Sequence, residues 1–73
     1  MATNLNKVIT YERAVRIFID HELPDIQNQY EQDGVPDTIA RREHWFNWVD
    51  WMNKSGEISD WQAANWSVPE ICR

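Results

Sequence analysis

Several absences limit what this chain can be. It has a single cysteine, Cys72, so no disulfide can form within it, and we expect a reduced, cytoplasmic setting. No segment approaches the roughly 18 apolar residues of a membrane span, so we expect no membrane partner. Residues 1–10 lack the apolar run of a signal peptide. The 73 residues leave room for one domain and not for a second core.

Motifs for catalysis and for cofactors are also lacking. There is no glycine-rich phosphate loop and no nucleophile elbow. His21 and His44 do not have the close paired spacing of zinc ligands. If Gly56 is placed at the sixth position of a calcium loop, the first ligand becomes Trp51, which cannot ligate. We therefore expect no enzyme activity, no catalytic or metal-binding residue, no cofactor and no small-molecule substrate.

Positive charge is missing from the stretch between Arg16 and Arg41. The same stretch holds half of the twelve acidic residues, namely Asp20, Glu22, Asp25, Glu31, Asp33 and Asp37. Two interpretations remain open. The carboxylates form either a solvated surface that keeps a small protein soluble or a patch that binds the basic surface of a partner. The net charge of −5 argues against direct binding of nucleic acid.

Helical spacing dominates what is present, and no strand pattern appears. Thr10 is a good N-cap for a first helix. Leu23 and Pro24 interrupt that helix, and Pro24 either kinks it or begins a second short helix. Gly34 ends this part of the chain. The apolar stripe at i, i+4 and i+7 spacing comprises Tyr11, Ala14, Val15, Phe18 and Ile19.

A second helix is predicted from the cap Asp37 to about Lys54, with Gly56 as a left-handed stop. Trp51 flanks its core face on one side, whereas Ile39 lies on the other. The last helix begins with a capping box, Ser at N-cap and Gln at N3, and ends before a proline. The core face of the long helix comprises Trp45, Trp48, Val49 and Met52, and the capping box comprises Ser59 and Gln62.

All five tryptophans lie in the last 29 positions. Their large apolar area can hold a small core together. We predict an all-α domain over residues 1–73, a compact bundle of three to four short helices around the Trp-rich helix. Residues 1–9 are expected to be a loose end, and so are residues 70–73 unless Ile71 docks. The predicted core comprises Phe18, Trp45, Trp48, Val49, Met52, Trp61 and Trp66.

The C-terminal part of the chain has a spaced pattern of residues, namely Trp45, Gly56, Ile58, Trp61, Gln62, Asn65, Trp66 and Pro69. This pattern resembles that of small accessory proteins of tailed phages and prophages. There, an aromatic helix is followed by Asp-Gly-Gln-Ile, an aromatic-Gln helix, Asn-Trp and a proline. This chain departs from the pattern at Ser55, where Asp is usual, and at Ala63, where Tyr is common. The resemblance implies a viral origin and transfers no functional residue.

Three functions follow from these observations. The leading hypothesis is a phage-type accessory protein in the host cytoplasm. Through its acidic patch it would inhibit or modulate a host complex that handles nucleic acid, as an anti-CRISPR, anti-restriction or polymerase-modulating protein. The alternative is a protein-interaction module, or a homodimer, that uses an exposed aromatic strip of Tyr30, Phe46 and Trp51. The third is single-stranded nucleic-acid binding through Arg41 and Arg42 with aromatic stacking.

Overall fold

The computed structural model describes residues 9–73, and every regular element in that range is helical. This confirms the expected all-α fold with a Trp-rich helix. Expectations for residues 1–8 lie outside the described residues. In chain order the elements are α1 (Tyr11–Ile17), a π-helical turn (Phe18–Glu22), α2 (Leu23–Tyr30), α3 (Thr38–Lys54), α4 (Asp60–Asn65) and a 3₁₀ turn (Glu70–Cys72).

Helices α1 and α2 run into each other through the π-helical turn. The side chain of Thr10 caps α1 by accepting a hydrogen bond from the backbone N–H of Arg13 at 3.2 Å. Pro24 lies in the first turn of α2, a position at which helices tolerate proline. The N–H of Leu23 donates to the carbonyl of Phe18, five residues earlier. This wider turn gives room for the proline ring, which would clash with a carbonyl in a regular α-helix.

Local hydrogen bonds and backbone angles set the limits of α3. A carboxylate oxygen of Asp37 accepts the N–H of Ala40 at 3.0 Å, which confirms the predicted cap. Gly56 stops the helix with a φ of +82°, and Gly34 has a φ of +83° in the preceding connection. Both angles lie in the left-handed region that favours glycine. The predicted end of α3 at Lys54 is therefore confirmed as well.

The capping box of α4 forms as predicted. The hydroxyl of Ser59 accepts the N–H of Gln62 at 3.1 Å, and the Gln62 side-chain oxygen accepts the N–H of Ser59 at 2.8 Å. The Gln62 amide also donates to the carbonyl of Ile9 at 2.8 Å. Ile58, just before the cap, is buried in the core. One short cap therefore begins α4 and also attaches it to the start of α1.

Aromatic rings meet around Trp45, which is only 1% exposed. Its ring centroid lies 5.3 Å from that of Phe18, 5.7 Å from that of Trp48 and 6.4 Å from that of Trp66. These are tilted or edge-to-face arrangements, which the charge distribution of aromatic rings favours. Of the predicted core, Phe18, Trp45, Val49 and Met52 are buried, whereas Trp48 and Trp66 are half-buried against it.

The prediction that Trp61 belongs to the core is wrong, because this side chain is 68% exposed. Trp61 and Trp66 are five residues apart. At about 100° per residue they point roughly 140° apart around the helix axis. Trp61 is in α4, which packs against α3, and Trp66 is the C-cap residue directly after the helix, so the side that faces α3 can take only one of the two rings. Trp66 takes that position.

At the C-terminal end the docked alternative applies, because Ile71 packs against the core. Residues 70–73 include the 3₁₀ turn, which packs against α3. Cys72 is fully buried there, so its thiol is not free to cross-link two chains. Arg41 donates from Nη1 to the carbonyl of Ile71 at 2.8 Å. Apolar burial and a charge-assisted hydrogen bond therefore hold this end in place.

Candidate partner-binding surfaces

The six predicted patch residues divide into two groups. Glu31 is buried, and Asp37 is half-buried with its carboxylate occupied as the cap of α3. Burial makes Glu31 unavailable to a partner, so the prediction that Glu31 belongs to the contact surface is wrong, whereas Asp37 also borders the surface cavities at the start of α3. Asp20, Asp25 and Asp33 are exposed, and Glu22 is half-buried.

Glu31 and Arg41 form a bidentate ion pair. Arg41 Nη2 lies 2.6 Å from Glu31 Oε1, and Arg41 Nε lies 2.7 Å from Glu31 Oε2. Only 4% of the Glu31 side chain and 8% of the Arg41 side chain are exposed. The backbone N–H of Asp37 also donates to Glu31 Oε2 at 3.0 Å. The hydrogen bonds from Arg41, helped by that from Asp37, hold the pKa of Glu31 below its ordinary value.

This pair decides the electrostatics of the segment that we call the acidic segment, residues 17–41. The segment holds six carboxylates and one guanidinium, a balance of −5 that equals the net charge of the whole chain. Its one cation, Arg41, is buried and neutralised by Glu31. The surface of the acidic segment therefore presents carboxylates to solvent with no Lys or Arg of its own among them.

Sequence reasoning missed the buried role of Arg41, although a signal was present. Arg41 lies four residues before Trp45 and seven before Trp48, so it shares the core face of α3. A charged residue on such a face needs a buried partner. Of the roles considered for Arg41 and Arg42, stacking on nucleic acid requires an exposed guanidinium, whereas pairing with a neighbouring acid does not. The burial of both Arg41 and Trp45 removes them from any such surface.

The three aromatic residues of the predicted strip are exposed but do not form one strip. Tyr30 is 50% exposed, Phe46 is 54% and Trp51 is 61%. Phe46 and Trp51 are five residues apart on α3, so they point about 140° apart around its axis. A single flat partner cannot lie on both of these side chains. The prediction of a continuous strip is therefore wrong, whereas each side chain alone remains accessible.

A groove with a mixed polar and apolar lining forms where α2 connects to α3. A cavity of about 230 Å³ lies against the start of α3, and a second of about 330 Å³ lies beside it and shares part of its lining. We call the two together the α2–α3 groove. Tyr30 lines both cavities, and its ring centroid lies 6.0 Å from that of the His44 imidazole. The lining of the groove includes Tyr30, Val35, Pro36, Ile39, Glu43 and His44.

Groups for metal chemistry do not assemble in the described part of the chain. Between residues 9 and 73, no three His, Cys, Asp or Glu side chains are placed to hold a metal ion. In the same range, every buried side-chain nitrogen or oxygen has a hydrogen-bond partner. Of the helices in this range, none combines the length and the apolar character that crossing a membrane requires.

No protein-family model, curated protein or solved structure matches this chain.

Proposed function

We propose that this protein is a phage-type accessory protein that binds the basic surface of a host complex that handles nucleic acid, and inhibits or modulates that complex. CRISPR effectors, restriction enzymes and RNA polymerase are the target classes. The observation that carries the proposal is the acidic segment. Its balance of −5 accounts for the entire net charge of the chain, and its only cation, Arg41, is buried.

The physical argument is one of competition for the same positive charges. Clefts that hold DNA or RNA are lined by Lys and Arg, and they concentrate anions by their field. A surface of fixed carboxylates is attracted to such a cleft as phosphates are, and it can exclude the nucleic acid by occupying the site. Complementary charge of this kind mainly speeds association and selects the partner. The resemblance of the C-terminal pattern to phage accessory proteins supports the choice of a host target.

The test uses purified members of the three target classes. We expect stoichiometric amounts of the protein to prevent one of them from binding a labelled DNA or RNA duplex in a mobility-shift assay. Inhibition should weaken steeply as ionic strength rises, because exposed charges are screened over about 10 Å at 0.1 M salt. If inhibition is unaffected by salt, the electrostatic mechanism is wrong.

Two variants with equal net charge locate the surface. The first combines Asp20→Asn, Asp25→Asn and Asp33→Asn, which removes exposed carboxylates of the acidic segment. The second removes the same number elsewhere: Glu12→Gln, Glu57→Gln and Glu70→Gln. The first variant should lose inhibition and the second should keep it. Equal losses in both would mean that overall charge, and not this segment, is responsible.

A second candidate function is favoured by the exposure of Trp51, which is 61% accessible at the side of α3. Here Trp51 anchors the protein on a partner protein or on a second copy, as tryptophan often does at interfaces. Such binding would tolerate salt and would be lost in Trp51→Ala. Light scattering distinguishes the homodimer, since a mass of one chain at high concentration excludes it.

A further inference from the structure

The α2–α3 groove differs in the charge of its lining from another surface hollow in the described part of the chain. A cavity between α1 and the C-terminal segment carries both Arg16 and the carboxylates Glu12 and Glu70, so it has no single sign. The α2–α3 groove is lined by Asp33, Asp37 and Glu43 with no Lys or Arg. The negative charge of the groove therefore favours a positively charged occupant.

The groove also has an apolar part, which favours an occupant that carries an apolar group as well as positive charge. Tyr30, Val35 and Ile39 are each half or more exposed, although they are apolar or aromatic. All three line the groove, together with Pro36. Exposed apolar side chains that cluster around a concave site are a frequent mark of a protein-binding surface. The tyrosine ring also offers a face on which a guanidinium can stack.

Resting on the proposed function, we propose that the α2–α3 groove binds a segment of the partner protein in which an aliphatic side chain stands between arginine residues. The aliphatic group lies against Tyr30 and Ile39. The arginines meet Asp33 and Glu43 at the two ends of the groove. The acidic segment thereby attracts the partner, whereas the groove determines which part of it binds. This makes the contact partly apolar, in addition to its electrostatic part.

A defined probe tests this inference without the natural target. The probe is a short blocked peptide of arginine and serine with one central leucine, and its control replaces that leucine by serine at the same charge. Each is titrated into the isotopically labelled full chain and followed by amide chemical shifts. The leucine peptide should bind about tenfold more tightly. Its shifts should centre on Tyr30, Val35, Ile39 and His44.

Matched variants separate the groove from other exposed aromatic positions. Tyr30→Ala should lower affinity for the leucine peptide about tenfold, to that of the serine peptide. Phe46→Ala removes an equally exposed ring outside the groove and should change nothing. Ile39→Ser, also at an exposed position, should reproduce Tyr30→Ala and provides a second test if that variant folds poorly. Thermal melts by circular dichroism establish that each variant is folded.

The outcomes distinguish this inference from the proposed function. If both peptides bind equally and the Asp20, Asp25 and Asp33 triple variant loses both, the groove inference is wrong and the electrostatic function stands. If neither peptide binds at low salt, the groove inference is wrong, whereas the proposed function is judged separately by the mobility-shift assay. If the free protein has the mass of two chains and Tyr30→Ala returns it to one, a second copy occupies the groove, and the inference is overturned.

Discussion

Arg41 holds Glu31 through two parallel hydrogen bonds of 2.6 and 2.7 Å, and the pair is almost fully enclosed. Glu31 follows α2 directly, whereas Arg41 lies on the core face of α3. The remaining guanidinium nitrogen binds the carbonyl of Ile71. The Arg41 side chain therefore connects the end of α2, helix α3 and the C-terminal 3₁₀ turn. We expect the consequences of disturbing it to extend to all three.

Losing one partner of the ion pair should lower stability more than losing both Arg41 and Glu31. Arg41→Met leaves a buried carboxylate without its partner, and Glu31→Met leaves a buried guanidinium. Both single variants should have a lower urea midpoint than the unchanged protein. The double variant should recover much of the loss, since apolar groups of similar size can replace a buried pair. Tryptophan fluorescence follows the unfolding. Strictly additive effects would contradict the coupling.

The same pair should make stability depend on pH in the acid range. Because the pKa of Glu31 is lowered on folding, the stabilisation it provides is complete above its ordinary value of 4.5. It is lost progressively as the pH falls below that value towards the lowered pKa of the folded state. Glu31→Gln should therefore be less stable at neutral pH and should lose less stability on acidification. Glu12→Gln, at an exposed position, is the control and should retain the original profile.

The five tryptophans should differ greatly in their contribution to stability. Trp45→Ala empties the centre of the aromatic cluster and should cost about 3–5 kcal/mol, a large part of the total for a domain of this size. Trp61→Ala changes a side chain that is mostly in water and should stay within about 0.5 kcal/mol. Urea unfolding monitored by circular dichroism measures both. Similar losses in the two variants would show that Trp61 is packed after all.

Gly56 tests the turn between α3 and α4. Its φ of +82° is strained for other residues, although a side chain there would meet no atom within 4 Å. The cost of substitution is therefore one of backbone conformation, about 1–2 kcal/mol for most residues. Gly56→Val should lower the melting temperature, and Gly56→Asn should lower it less, because asparagine tolerates this conformation better. If Gly56→Val and the unchanged protein had equal melting temperatures, the result would contradict a left-handed turn at this position.

Cys72 reports whether the C-terminal turn stays docked. Burial raises the pKa of the Cys72 thiol and shields it, so a thiol reagent should react slowly with the folded protein. Arg41→Met removes the anchor on Ile71 and should accelerate labelling. The substitution also removes a positive charge that lowers the pKa of Cys72, and this change alone would slow labelling. Faster labelling would therefore come from greater exposure of the thiol. Lys54→Met breaks only a surface ion pair and should leave the rate unchanged.

Helix ends were the part of the fold that could be predicted most closely. The cap residues Thr10, Asp37 and Ser59 each form the predicted hydrogen bond within three residues along the chain. Gly34 and Gly56 stop their segments because only the backbone of glycine enters the left-handed region at little cost. Interactions of this range can be read from the sequence, since every group involved lies within one helical turn.

The candidate surfaces were less predictable, because composition does not show which side chains find distant partners. Glu31 is identical in kind to the other acids of its segment, but it alone meets a guanidinium ten residues away. Tyr30, Phe46 and Trp51 are all exposed, but only Tyr30 lines the groove between α2 and α3. The groove itself exists because two segments approach each other, which the periodicity of either one does not encode.

By itself, the sequence determined the helical class, the limits of α3 and the aromatic content of the core, since caps, glycine stops and apolar spacing act within a few residues. Only the tertiary structure decided that Trp66 and not Trp61 joins Trp45, and that the C-terminal turn docks. It also decided that Glu31 leaves the acidic surface. These outcomes depend on contacts across ten to thirty residues of chain, such as those from Arg41 to Glu31 and Ile71. Their geometry is set when the whole core packs.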